Sequence, residues 1–165
     1  MAKSLDNISQ VTRGCYVVMF YTLGQSIKVE SSLVEVLQVS RKNNFIKTKL
    51  ALFNLKNGDF LERTESHNSY VHPHKLFVGF KPSTVVAKAG SSVSVITLTV
   101  GSPRMVYTRE RKITGVATNN GVVSAITLSD GNTYVRNSSG QWSYSYVSSF
   151  GFKCTDIIVD NLVVG

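Results

Sequence analysis

Short runs of β-branched and aromatic residues recur along this chain, and glycine, asparagine or serine separates them. Residues 15–21, 33–39, 45–53, 92–100, 112–116, 122–128 and 155–159 have this character and predict strands. One stretch departs from it. Across residues 4–11, Leu5, Ile8 and Val11 fall at helical spacing behind a possible Ser4 cap, which predicts one short helix. The expected class is mainly β with little helix.

The middle of the chain reads as a boundary. Gly79-Phe-Lys-Pro-Ser-Thr joins a proline to small polar residues, and Lys88-Ala-Gly-Ser-Ser follows, so two modules are expected, 1–82 and 83–165. The halves share a faint pattern. Leu33-Val-Glu-Val-Leu-Gln-Val, Asn43-Asn44, an apolar strand and Asn57-Gly58 in the first answer to Lys112-Ile-Thr-Gly-Val, Asn119-Asn120-Gly121, an apolar strand and Asp130-Gly131 in the second. An arginine follows each turn glycine by five residues, Arg63 and Arg136, and a serine-rich tail ends on Tyr70 and Tyr144. Asn-Gly and Asp-Gly supply the positive φ values of tight hairpin turns, so the shared unit is a strand, a turn, a strand, a hairpin and a strand. Internal duplication is the expected origin.

Composition supports folding. The 165 residues leave room for two cores of about 60–80 residues each. With 42% apolar and 17% charged residues, the chain does not resemble a disordered tail. Cys15 and Cys154 lack the spacing of a zinc or redox motif and read as buried thiols of a reducing cytoplasm. The first residues lack a signal-peptide core, and no apolar run approaches the roughly 18 residues of a membrane span. The expectation is a soluble cytoplasmic protein with no membrane partner.

Charge narrows the partner. Lysine and arginine outnumber aspartate and glutamate 18 to 10, and the net +8 favours a polyanion. The excess is placed. Arg41, Lys42, Lys47, Lys49 and Lys56 lie in a stretch without an acidic residue, and alternation along a strand puts Lys47 and Lys49 on one face with Ile46, Thr48 and Leu50 on the other. That predicts a row of cations along a barrel edge, suited to phosphates, although solvating lysines that blunt an exposed edge carry the same pattern. A second cluster holds Arg104, Arg109, Arg111 and Lys112, where bidentate phosphate contacts compete with a charged hairpin around Glu110. Arg136 is a further candidate contact. Arg63, between Glu62 and Glu65, reads instead as half of an intramolecular pair.

Other chemistry is thinner. Trp142, Tyr144 and Tyr146 share a strand face, as core packing or as a surface that stacks on bases or cages a methylated lysine. His67, His72 and His74 have no partner at ligand spacing, and Pro73 suggests a loop, so no metal or cofactor is expected. Asp59 with Glu62, and Asp156 with Asp160, have simple roles in turns and at strand ends. No nucleophile elbow, P-loop, dinucleotide fingerprint or His-Glu-x-x-His motif occurs, so catalysis is not expected.

Residues 34–63 and 113–136, each a strand, a loop and a strand entering an Asn-Gly or Asp-Gly hairpin before a basic residue, resemble the small SH3-like barrels of the KOW and Tudor type. The resemblance implies two five-stranded barrels in tandem that bind nucleic acid or protein. In size, charge and paired barrels the chain also resembles the MotB modifier-of-transcription proteins of T-even bacteriophages. That implies non-specific binding of double-stranded DNA in the host nucleoid and a role in host takeover. The rival expectation is a module that binds a host nucleoid or transcription protein.

Overall fold

The computed structural model describes residues 2–64, 70–99 and 105–164. The chain is mainly β, and among the described residues no helix is long and apolar enough to cross a membrane. Two compact units divide it: one spans Lys3–Lys81, and the other takes Ala2 and the described residues from Pro82 on.

The first unit contains β1 (Lys3–Ser4), β2 (Tyr16–Leu23), β3 (Glu30–Glu35), β4 (Gln38–Ser40), β5 (Phe45–Lys47), β6 (Ala51–Asn54), β7 (Phe60–Arg63) and β8 (Val71–Lys81). They form two four-stranded sheets, ordered β1-β8-β2-β3 and β4-β5-β6-β7. The sheets meet at a corner two residues long. Val36 donates its N–H to the Cys15 carbonyl at 2.8 Å and accepts from Gly14 at 2.9 Å, whereas Leu37 donates to the Lys47 carbonyl at 2.8 Å. Consecutive residues thus serve opposite sheets, and the predicted strand 33–39 is split there. Val17, Met19, Ile46, Phe53 and Leu76 fill the space between the sheets with Ile8 and Val11.

Two other expectations are revised. The apolar run 45–53 folds back on itself as the β5–β6 hairpin, because Thr48 closes the turn: its hydroxyl donates to the Ala51 carbonyl at 3.1 Å and accepts the Ala51 N–H at 3.3 Å. The helix expected over 4–11 shrinks to a 3-10 turn, Ile8–Gln10. Asn7, not Ser4, caps it, accepting from the Ser9 N–H at 3.0 Å while the Gln10 side chain accepts from the N–H groups of Asp6 and Asn7. The apolar spacing correctly marked Ile8 and Val11 as buried, but extended backbone at Val11 ends the turn.

The second unit contains β9 (Thr84–Val86), β10 (Ser92–Thr99), β11 (Met105–Asn119), β12 (Val122–Leu128), β13 (Thr133–Arg136), β14 (Trp142–Val147), β15 (Lys153–Ile158) and β16 (Asn161–Val163). Strands β10 to β15 form a closed barrel in sequence order, sealed by the β10–β15 ladder from Val95↔Ile158 to Thr99↔Cys154. It has six strands where the resemblance implied five. The long β11 turns the corner here, pairing with β10 up to Lys112 and with β12 from Ile113. Val93, Val95, Ile113, Ile126, Leu128, Tyr134, Trp142 and Ile158 pack inside. Strands β9 and β16 add a parallel pair.

The two units run their strands in the same cycle if β3 and β4 are counted as one bent strand. Asn44 (φ 58°) and Asn120 (φ 52°) each turn the chain directly after the bent strand. The glycine turns do not correspond. Gly58 joins the fourth strand of its cycle to the fifth, and Gly131 joins the third to the fourth, because 45–54 makes two strands and 122–128 makes one. Arg63 and Arg136 therefore do not occupy matching places. The closures differ too: among the described residues, the only backbone pairing with β8 at this seam is the bridge Asp59↔Lys75 just before β7, beside a hydrogen bond from the Leu76 N–H to the Gly58 carbonyl at 2.8 Å.

Gly58 holds that seam, at φ +80° and with a position where a Cβ would run into the Leu76 carbonyl. Gly131, at φ +86°, has open space around it. Replacing Gly131 with alanine is expected to lower unfolding free energy by about 1 kcal/mol, and Gly58→Ala by about 3 kcal/mol, strain and collision together. Urea titrations with unchanged m-values test this; equal losses at both positions would refute the seam's close packing.

Candidate nucleic-acid interface

The candidate residues Arg41, Lys42, Lys47, Lys49 and Lys56 belong to the β4–β7 sheet and its turns. Alternation between 45 and 50 is as expected: Ile46 and Thr48 are buried, while Lys47 is half-buried and Lys49 exposed. The cations do not form one row, because the hairpin divides them. Lys42 and Lys56 sit in adjacent turns at one end of the sheet, where Leu55 donates to the Asn44 carbonyl at 3.1 Å and the Asn44 amide reaches Asn54 Oδ1 at 3.3 Å. Lys49 lies in the turn at the opposite end. Lys47 shares the outer face of the sheet with Glu62, since Leu52 pairs with both. Among the described residues none of these four lysines forms an ion pair.

Arg41 is already engaged. Its guanidinium donates to the carbonyls of Ser9 at 3.0 Å and Val11 at 3.3 Å, satisfying the end of the 3-10 turn. Arg63 donates to the Val71 carbonyl and lies 3.2 Å from His72 Nδ1, so it ties β7 to the start of β8.

In the second unit Arg104 lies outside the described residues. Arg109 faces inward opposite Val95, and its Nη2 donates to Thr97 Oγ1 at 2.7 Å and stands 3.6 Å from Asp156 Oδ1. The same carboxylate oxygen accepts from the Thr97 hydroxyl at 2.6 Å and the Tyr146 hydroxyl at 3.2 Å. Asp156 is buried, so Arg109 serves the barrel's interior. Arg111 faces the same way and donates to the Glu110 carbonyl at 3.1 Å, whereas Lys112 is exposed at the corner of β11. Arg136 is exposed and its guanidinium carbon lies 5.1 Å from the Trp142 ring centroid, a cation–π contact on the rim.

The aromatic stripe lies along one face of β14, and the structure grades it. Trp142 is buried, while Tyr144 and Tyr146 are half-buried with rings stacked at 5.6 Å; Tyr134 tilts against Tyr144 at 5.9 Å. Burial raises the Tyr134 and Tyr146 phenols, and the charge of Asp156 pushes each further in the same direction. The polar group around Asp156 was missed from sequence, although a signal existed: Thr97 and Asp156 stand where alternation from Val93-x-Val95 and Ile158 calls for apolar residues.

His72 and His74 lie in strand β8, contrary to the loop that Pro73 suggested; Pro73 is accommodated where the β2–β8 register shifts. His74 Nε2 is 2.9 Å from Thr22 Oγ1, and His67 lies outside the described residues. No group of three metal-ligating side chains occurs among the described residues. Cys15 and Cys154 are buried free thiols. Asp59 pairs with Lys75 at 3.7 Å, and Asp160 accepts the N–H groups of Ser83 at 3.1 Å and Ser94 at 2.6 Å. Comparison with protein-family models, curated proteins and solved structures finds no match, so the KOW and Tudor resemblance rests on the residues quoted for it and the MotB resemblance on size, charge and the expected pair of barrels.

Two outcomes are expected of the Asp156 network. Asp156→Ala strands Arg109 and is expected to cost about 3 kcal/mol, while Arg109→Met combined with Asp156→Leu costs less than the single change; the reverse order in urea titrations would exclude a buried pair. The raised phenols set an alkaline limit. Tyrosine in the unfolded chain ionises near pH 10, so stability is complete below about that pH and falls above it, where the unfolded chain releases protons that the fold retains. A urea midpoint unchanged between about pH 9 and about pH 11 would contradict this.

Proposed function

We propose that this chain binds double-stranded DNA without sequence preference, through phosphate contacts from lysines of the first unit and basic residues of the second. The observation that supports the reading most is that Lys42, Lys47, Lys49 and Lys56 form no ion pair among the described residues of a chain with net charge +8. A cation with no internal partner gains from a phosphate, chiefly by releasing the counterions condensed on the polyanion. Lys42 and Lys56 share one end of the sheet and form the core of the proposed contact. Lys112 and Arg136, exposed on the barrel, are the second unit's contribution. Arg41 and Arg109 take structural roles in this reading.

Base readout has no part in it. The helical segment among the described residues is a three-residue 3-10 turn, too short to lie in a major groove. Two linked basic units raise each other's effective concentration once one is bound, so the pair grips a duplex more tightly than either alone. Such binding suits a protein that alters transcription or nucleoid structure.

Titration of labelled duplexes of unrelated sequence over a salt series tests the proposal. Lys42→Gln with Lys56→Gln is expected to weaken every duplex about equally and to reduce the log–log salt slope by about 2. Arg41→Gln should lower stability and leave that slope nearly unchanged. Failure of the wild-type chain to bind duplex at low salt would overturn the proposal, as would an unchanged slope in the double lysine variant.

A further inference from the structure

The turn joining β14 to β15 carries the most exposed aromatic group among the described residues. In Val147-Ser-Ser-Phe150-Gly-Phe152-Lys153, Phe150 is 86% exposed and Phe152 55%. Rings that contribute so little to a core are open to an external partner. The turn is also built. Ser148 donates its N–H to the Phe152 carbonyl at 2.7 Å, Gly151 donates to the Ser148 carbonyl at 2.9 Å, and the Ser148 hydroxyl accepts the Phe152 N–H at 3.1 Å, with Gly151 at φ +84°. The backbone beneath both rings is therefore fixed before any partner arrives.

The tip extends an aromatic line. Cys154 is the cross-strand partner of Tyr146, and Phe152, two residues before Cys154, falls on the same side of the hairpin. From the barrel outward the line runs from buried Trp142 through the half-buried stacked pair Tyr144 and Tyr146 to Phe152, with Phe150 in the turn beyond. Lys153, exposed beside the tip, adds a cation.

We infer that the β14–β15 hairpin is a base-stacking tip: Phe150 and Phe152 stack on unpaired bases while Lys153 meets the adjacent phosphate. Charge complementarity selects this occupant. A chain of net charge +8 favours an anionic partner, and unpaired nucleic acid combines anionic backbone with flat apolar faces of matching size. The inference rests on the nucleic-acid reading above and refines its substrate: DNA with unstacked bases binds better than an intact duplex, in which the bases are covered by their neighbours. Cost also favours open sites, since a ring wedged into a closed duplex must first unstack a step.

Anisotropy titrations of the full chain at one salt concentration decide the matter, using an intact duplex, the same duplex with a central unpaired bubble, and its single strand. The wild-type chain is expected to bind the bubble about tenfold more tightly than the duplex, the scale of one base stacked on one ring. Phe150→Ser with Phe152→Ser removes that preference and leaves duplex affinity in place; both rings are outside the core, and matching thermal melts check that the variant is folded. Lys42→Gln with Lys56→Gln weakens both ligands and keeps the ratio. No bubble preference in the wild type, or a preference that survives loss of both rings, overturns the tip while duplex binding still stands. Absence of binding to all three DNAs overturns both readings. Vesicles of phosphatidylserine and phosphatidylcholine are the last arm: Phe150-dependent vesicle binding without a bubble preference assigns the tip to lipid and overturns the inference.

Discussion

Both units depend on one backbone constraint: the second strand of each cycle must leave the sheet of the first strand and supply hydrogen bonds to the sheet of the third. In the first unit the change falls between Val36 and Leu37; in the second it falls around Lys112 and Ile113, where the Ile113 N–H still serves the Ser91 carbonyl while the Lys112 carbonyl already accepts from Ser129. A straight strand at either place would leave two separate sheets with open edges and no enclosed interior. Bending lets each unit fold its apolar faces inward, which is how Ile46 and Phe53 come to oppose Met19 and Leu76, and how Val93 comes to oppose Ile126 and Tyr134. The asparagine turns that follow, at Asn44 and Asn120, accept positive φ at little cost and send the third strand back along the second.

The cycle is shared, but its closure is not. Ladder pairing between β10 and β15 seals the second unit, and the sealed interior accommodates a polar group, Arg109 with Thr97, Asp156 and Tyr146, at one part of its wall. Among the described residues the first unit closes by contact at Gly58 and Leu76 more than by ladder, and Lys42, Lys49 and Lys56 lie in its turns. Each unit thus uses charge in two ways: Arg109 and Arg41 satisfy internal acceptors, while Lys112 and Arg136 on the barrel and Lys42, Lys49 and Lys56 on the first unit meet solvent.

Sequence patterning read some elements closely. Strand β12 runs over residues 122–128 as expected, since its alternation is bounded by Asn120-Gly121 and Asp130-Gly131. Breaks inside apolar runs were hidden, because the turn at Thr48 depends on a side-chain hydroxyl rather than on glycine or proline, and the corner at Val36 depends on which sheet each peptide faces. Strand β8 was obscured by His72, Pro73 and His74, whose polarity is tolerated where the register slips. For the candidate site, the outward set Lys47 and Lys49 was legible from alternation. The engagement of Arg41 was not, because its partners, Ser9 and Val11, lie about 30 residues earlier and only folding brings them near. The same is true of Arg109, whose value as a free cation depends on whether a carboxylate 47 positions later is buried beside it.

The weak seam between β7 and β8 has a consequence for motion. Among the described residues strand β7 has a full ladder on one side only, and its residues Phe60, Leu61 and Glu62 are exposed, so it gives up little buried surface on leaving its place. Strand β2, by contrast, is laddered on both sides, so local opening costs less at β7 than at β2. The two sheets of the first unit therefore meet at a seam held by a few contacts, where the β10–β15 barrel of the second is held by a continuous ladder.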